Sequence, residues 1–236
     1  MAQPNISTKE LAKFKIPLPS LSEQKAIVAK LDRAQRLIDI DKEMLAKYDE
    51  LIQSVFLEMF GDPVTNPKGW ELEKGKTLFN FKSGKYIKKD LLDDNFEFPV
   101  YGGNGVRGCY DDFLVDYPTL IIGRVGAKCG VVHSIKNKSW ITDNAIFLED
   151  FAYPNKINFY YTLLKLLNIN QYADYSGQPK ITQEPLKNLD VINPSEDLIL
   201  HFEKVYSQII DEKKKLKSSL IKSEELFSSL VQEAFG

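Results

Sequence analysis

The segment from residue 3 to residue 61 is written twice in this chain. The second copy, residues 178–236, begins 175 positions later (Gln3 to Gln178) and aligns without a gap. Gln3-Pro4-x-Ile6-Ser7 returns as Gln178-Pro179-x-Ile181-Thr182, and Pro19-Ser20 as Pro194-Ser195. Glu50-Leu51-x-x-Ser54 returns as Glu225-Leu226-x-x-Ser229, and Glu58-x-Phe60-Gly61 as Glu233-x-Phe235-Gly236. Roughly 14 identities over about 59 ungapped positions are hard to reach by chance, so the fold must hold two like units around an unrelated insert of about 116 residues.

Each copy opens on a short, proline-punctuated extended stretch, Phe14–Pro19 or Leu189–Pro194, and then runs for about 40 residues without proline, as a long helix requires. Ser20 and Glu23 have the spacing of a capping box. Ser195 takes the N-cap place in the second copy, where Glu196 and Asp197 suit the positive end of the helix dipole. Gly61, ahead of Asp62-Pro63, stops the first helix.

The apolar positions alternate by three and four. In the first helix they are Ile27, Leu31, Ala34, Ile38, Leu45, Tyr48, Ile52, Val55 and Met59. In the second they are Phe202, Tyr206, Ile209, Leu216, Leu220, Phe227, Leu230 and Ala234. Such a heptad over about five repeats predicts a coiled coil, roughly 60 Å long at 1.5 Å per residue. Asp41 breaks the first seam, and Lys213 and Ser223 the second. In an antiparallel pair of equal helices the middles meet, so Asp41 is expected to face Lys213 and set the register, unless both simply reach water.

Composition bounds the rest. The 236 residues are 43% hydrophobic and 27% charged, as in an ordinary globular protein, with a net charge of −2. No apolar run approaches the ~20 residues of a membrane span, and Met1-Ala2-Gln3-Pro4 lacks a signal pattern. Cys109 and Cys129 have no metal-type spacing. Two reduced thiols in a cytoplasmic protein without a membrane partner are the expectation.

The insert reads as α+β. Strand-like runs at Phe98–Tyr101, Thr119–Ile122, Gly130–Val132 and Ala145–Leu148 alternate with turns such as Gly102-Gly103-Asn104-Gly105. A helix is expected over Ile157–Leu167, with Phe159-Tyr160-Tyr161 in the core. The insert's charges balance but segregate. Residues 74–89 hold Lys74, Lys76, Lys82, Lys85, Lys88 and Lys89 and no acid, and residues 117–142 hold Arg124, Lys128, Lys136 and Lys138 and no acid. Basic stretches beside glycine-rich loops suit contact with phosphates; a plain solvated lysine face has the same composition.

Catalytic signatures are missing. There is no phosphate-loop motif, no glycine pattern in a βαβ unit and no Asn/Asp-Pro-Pro-aromatic tetrapeptide of amino-methyltransferases. His133 and His201 have no neighbouring ligand set, and Asp211-Glu212-Lys213 falls inside a predicted helix. No metal site, cofactor site or catalytic residue is expected.

Several motifs resemble one family. Gln3-Pro4-x-Ile6-Ser7 through Ile16-Pro17-Leu18-Pro19-x-Leu21-x-Glu23-Gln24-x-x-Ile27, and the second copy Gly177-Gln178-Pro179-x-Ile181-Thr182, are similar to the DNA-specificity (S) subunits of type I restriction-modification systems. Within the insert, Phe98-Pro99-Val100-Tyr101-Gly102-Gly103-Asn104-Gly105, Ile122-Gly123-Arg124-x-Gly126 and Trp140-x-Thr142-Asp143-Asn144 resemble the family's target-recognition domain. The resemblance implies a globular target-recognition domain (62–194) between two antiparallel coiled-coil spacer helices (20–61 and 195–236), with residues 1–19 as the tail of a missing or partner recognition domain. It implies double-stranded DNA, methyltransferase (M) subunits carrying S-adenosylmethionine, and a restriction/translocase (R) subunit as partners. Family members carry two recognition domains and this chain carries one. It is therefore expected to be a half-subunit that forms a homodimer, a recombination cassette or a shortened chain; a coiled-coil assembly protein that reads no DNA is the alternative.

The mechanism implied is binding without catalysis. Arg124 and Arg107 are the candidates for base contact, because a guanidinium grips guanine O6 and N7 bidentately. Arg124 is otherwise a structural arginine paired to a buried acid. Lys85, Lys128, Lys136 and Lys138 are candidates for phosphate, and Asn104 for a base edge or a turn.

Overall fold

A computed structural model describes residues 7–13 and 18–235; Gln3–Ile6 and most of the Phe14–Pro19 stretch lie outside the described residues. In chain order the elements are α1 (Thr8–Leu11), α2 (Leu21–Phe60), β1 (Leu72–Lys74), α3 (Gly75–Leu78), β2 (Asn80–Ser83), β3 (Phe98–Gly102), β4 (Gly105–Tyr110), β5 (Thr119–Gly123), β6 (Val132–Ile135), β7 (Trp140–Ile141), β8 (Ala145–Glu149), α4 (Ile157–Leu166), α5 (Gln183–Lys187), β9 (Asp190–Ile192) and α6 (Glu196–Phe235). Two compact units result: one joins the residues up to 47 with those from 212 onward, and the other comprises Tyr48–Asp211.

The first unit is an antiparallel helix pair. α2 opens on its capping box, the Ser20 N–H donating to Glu23 Oε2 at 2.8 Å and the Glu23 N–H to Ser20 Oγ at 3.3 Å. Ala34 and Ile38 are buried, and Ile27, Leu31 and Leu45 half-buried, at the expected heptad positions. On α6, Leu216, Leu220, Phe227, Leu230 and Ala234 are likewise withdrawn from solvent while their flanking residues, Val231 apart, are exposed. Ile27 and Leu31 line a cavity of about 190 Å³ together with Leu230 and Ala234, and Lys42 Nζ lies 3.1 Å from Glu224 Oε1.

Those contacts correct the expected register. They put Asp41 level with residues near 220–224, some 7–11 residues or roughly 10–17 Å from Lys213 at 1.5 Å per residue. Asp41 has no ion-pair or hydrogen-bond partner among the described residues, so the Asp41–Lys213 pairing is not formed. The helices have equal length but are staggered, and equal length alone does not align their middles.

The second unit is built on a four-stranded antiparallel sheet, in the order β2-β8-β5-β6, buried on both faces. Alternation along β5 shows why. Leu120 and Ile122 join the cluster beneath α4, whereas Ile121 joins Ile135, Ala145 and Phe147 against Ile141 of β7. The second face is covered by a three-stranded sheet, β4-β3-β7, in which β3 pairs antiparallel with β4 and parallel with β7. β1 and β9 form a separate antiparallel pair across the whole insert.

The terminal turns of both long helices belong to this core. Phe56, Phe60, Phe159 and Phe202 are fully buried, with ring centroids 4.8–6.5 Å apart. The compact unit therefore reaches from 48 to 211, beyond the helix ends at 61 and 195 that sequence alone suggests. Gly61, at φ +77, closes α2 with its N–H on Leu57 O at 2.8 Å.

Burial pushes the Tyr206 phenol up from 10.0 to about 12, with Tyr161, Glu203 and Asp49 adding to the shift. Between those pH values the unfolded chain loses a proton that the folded chain keeps, so stability present below pH 10 is lost as pH rises through 12. The melting temperature of the wild type is expected to fall over that interval, and that of Tyr206→Phe to fall less; parallel curves would contradict the assignment.

Candidate nucleic-acid interface

The loop from Gly123 to Gly130 is tied by three backbone hydrogen bonds to two other segments. The Arg124 N–H donates to Asn144 O at 2.9 Å, the Ile181 N–H to Arg124 O at 2.8 Å and the Gly126 N–H to Pro179 O at 2.9 Å. The second copy of the Gln-Pro-x-Ile motif is thus a structural clamp on this loop, with Ile181 fully buried. The turn between β3 and β4 packs directly against it. A Cβ on Gly123 would lie 2.3 Å from Gly103 O, and one on Gly103 would lie 2.6 Å from Asn144 O, so only glycine permits the approach.

These contacts gather five of the seven DNA-contact candidates. Arg124 sits in the clamped loop and Lys128 lies exposed beyond it. Asn104 is exposed at the β3–β4 turn, and Arg107, exposed on β4, folds its side chain over Gly102. Lys85 is exposed; its N–H donates to Ile141 O at 2.9 Å, just before the 142–144 turn. Lys136 and Lys138 are not brought to this cluster. β6 runs antiparallel to β5, from Val132 opposite Ile122 to Ile135 opposite Thr119, so these lysines lie at the other end of the sheet, a strand length or roughly 10 Å away. Lys138 Nζ lies 4.5 Å from the Phe113 ring centroid.

Arg124 itself is half-buried. The only hydrogen bond of its side chain among the described residues is a long one, from Nη1 to Asp143 O at 3.4 Å, and Nε is buried without a partner. No carboxylate lies within ion-pair distance of it among the described residues, so pairing to a buried acid does not account for this arginine. Of the remaining lysines of the insert's first basic stretch, Lys74 is paired with Asp190 and Lys82 with Glu149.

Sequence reasoning missed the far wall of the cluster. His133, Lys165, Asn168 and Asn170 line a cavity with Asn104 and Lys128. Burial lowers the His133 pKa, which keeps the imidazole neutral at pH 7, and its Nε2 is buried without a partner. Lys165, Asn168 and Asn170 are neighbours in sequence, but nothing in the spacing signals their approach to His133, Asn104 and Lys128. Both cysteines are free. Among the described residues no group of three His, Cys, Asp or Glu could hold a metal ion, and no helix is long and apolar enough to cross a membrane.

The family description "Type I restriction modification DNA specificity domain" matches residues 1–47 and 67–220. The chain is 29% identical over 198 residues to the type I restriction enzyme EcoprrI specificity subunit of Escherichia coli, covering 78% of this chain and 49% of that protein. The crystal structure of the type I restriction-modification S subunit from M. genitalium superposes with a TM-score of 0.63 at 22% identity, over 98% of this chain and 66% of that one. A chain from a structure concerned with complex assembly and conformational transition of the type I system gives a TM-score of 0.65 at 18% identity, over 100% of this chain and 64% of that one. The chain spans about half the length of its E. coli relative, and the structural neighbours share its fold.

Proposed function

The chain belongs to the type I restriction-modification DNA specificity family, and from that premise we propose that it selects the DNA sequence on which a partner methyltransferase acts. The reading is supported most by Arg124, a guanidinium held by its backbone in a clamped glycine loop, with its donors almost unused and three exposed cations and an exposed amide near it. Lys85, Arg107 and Lys128 neutralise phosphates or reach base edges, and Asn104 offers its amide to a base edge. The chain contributes binding only. The reaction and its S-adenosylmethionine belong to the M subunit, and restriction to the R subunit.

The M subunit docks on α2. Leu37, Ile40 and Met44 are 52%, 49% and 44% exposed at heptad spacing and form a second apolar stripe beside the buried seam. A second recognition domain comes from another copy of the chain. Phe235, the repeat equivalent of the fully buried Phe60, is 72% exposed, and Leu230 and Ala234, the equivalents of Val55 and Met59, border an open cavity. A closed two-fold dimer then reads two identical inverted half-sites.

The test is the adenine methylome of cells co-expressing the chain with a type I M subunit. A new bipartite motif with inverted identical halves is expected, and its loss in Ile40→Asp without loss of the folded chain. No new motif would overturn the reading, and a motif with unlike halves would overturn the dimer alone.

A further inference from the structure

We infer that the groove between the Asn104 turn and the carboxyl end of α4 is a phosphate site for one DNA strand, with Lys128 and Lys165 as its cations. The inference rests on the DNA-reading role proposed above and adds a contact surface on α4 to it. The groove encloses about 720 Å³, well within the roughly 300–1,000 Å³ of sites that accept small ligands and more than a lone phosphate occupies. A sugar-phosphate unit fits it.

Its charge is one-sided. Among the described residues no acidic side chain lines the groove, and neither lysine has a carboxylate within ion-pair distance. Both lysines are exposed, and Lys165 Nζ lies 5.3 Å from the Tyr161 ring centroid, which limits its wandering. One feature opposes an anion: the carboxyl end of α4 presents a partial negative charge of about half an electron. Two full ammonium charges outweigh it. The Leu167 N–H, on Leu163 O at 2.9 Å, also satisfies part of that helix end.

Part of the polar lining is unspent, although Asn170 is committed, its Nδ2 donating to Cys129 O at 3.0 Å and its Oδ1 accepting from the Tyr175 hydroxyl at 2.7 Å. The Asn104 and Asn168 side chains are exposed and have no hydrogen-bond partner among the described residues. His133, against the Gly105 turn, is neutral with Nε2 buried and unpartnered.

The experiment titrates the full chain against a fluorescent duplex of arbitrary sequence across a salt series. Lys128→Gln and Lys165→Gln are each expected to lower the slope of log K against log salt by about 0.9, and to weaken binding by the same factor on every sequence. Lys76→Gln, far from the groove, serves as the unchanged control. If the wild type binds with a normal salt slope and both lysine variants keep it, the groove assignment is overturned and the DNA-reading role stands. If Lys165→Gln lowers only the melting temperature, its role is packing on Tyr161 and the assignment is likewise overturned. If the wild type shows no salt-dependent binding, both fall.

Discussion

Replacing Phe202 with alanine is expected to lower the stability of the Tyr48–Asp211 unit by about 3–5 kcal/mol, the cost of truncating a buried aromatic side chain and leaving a cavity. Phe202 is fully buried, and its ring meets Phe56 edge-on at 5.5 Å, Phe60 at 5.6 Å and Phe159 at 6.5 Å. Two of these neighbours are on α2, one is on α4 and Phe202 itself is on α6, so a single truncation loosens three helices. Such edge-to-face pairs contribute roughly 0.5–1.5 kcal/mol beyond the area they bury. The measurement is urea denaturation followed by intrinsic fluorescence. Trp70 reports on the cluster directly, because its indole N–H donates to Phe60 O at 2.8 Å. A midpoint equal to that of the wild type would show that the cluster does not hold the unit together. Phe202→Leu, which keeps most of the volume, is expected to cost less than half as much.

What the sequence could say about this fold followed from period and local chemistry. The heptad named much of the inward face of both helices, because a 3-4 alternation is a property of one element alone, but it passed over the buried Phe56, Phe60 and Ile199. Ser20 with Glu23, and Gly61, are likewise local signals, and the helix starts and stops where they stand. Three apolar runs found β3, β5 and β8, whereas the run Gly130–Val132 meets β6 only at Val132. β4 carries no strand signal in the sequence because Gly105 and Gly108 interrupt it, and β1 and β9 are invisible as a pair because three-residue strands joined across the insert carry no period. The site divides the same way. Arg124 and Asn104 stood out because they border glycines, and Lys128 because it lies in a basic stretch without acids. Lys165, His133 and Asn168 did not, because the groove exists only once α4 is packed beside β6. The grouping of lysines by sequence stretch failed for Lys136 and Lys138, since strand direction carried them to the far end of the sheet. The stagger of the helices is also non-local, and Asp41 lost its expected partner for that reason.

Arg124→Ala is expected to separate function from stability. Affinity for the cognate DNA should fall by about 1–3 kcal/mol, roughly 5- to 150-fold, with discrimination relaxed at one base position. The midpoint of unfolding should stay level or rise slightly. The reason lies in what Arg124 does and does not touch. Its backbone holds the loop, with its N–H on Asn144 O and its carbonyl under the Ile181 N–H, and alanine keeps both bonds. Its side chain makes one long hydrogen bond and buries Nε without an acceptor. A buried donor left unmade costs about 1–3 kcal/mol, so removing it relieves the folded chain. Arg124→Lys should not restore discrimination, because an ammonium lacks the planar fork that matches two acceptors on one base. The measurement pairs DNA titration with thermal unfolding on the same samples. A variant that loses stability while keeping affinity and the methylated motif would make Arg124 a structural residue after all, and base contact would then have to come from Arg107 or Asn104.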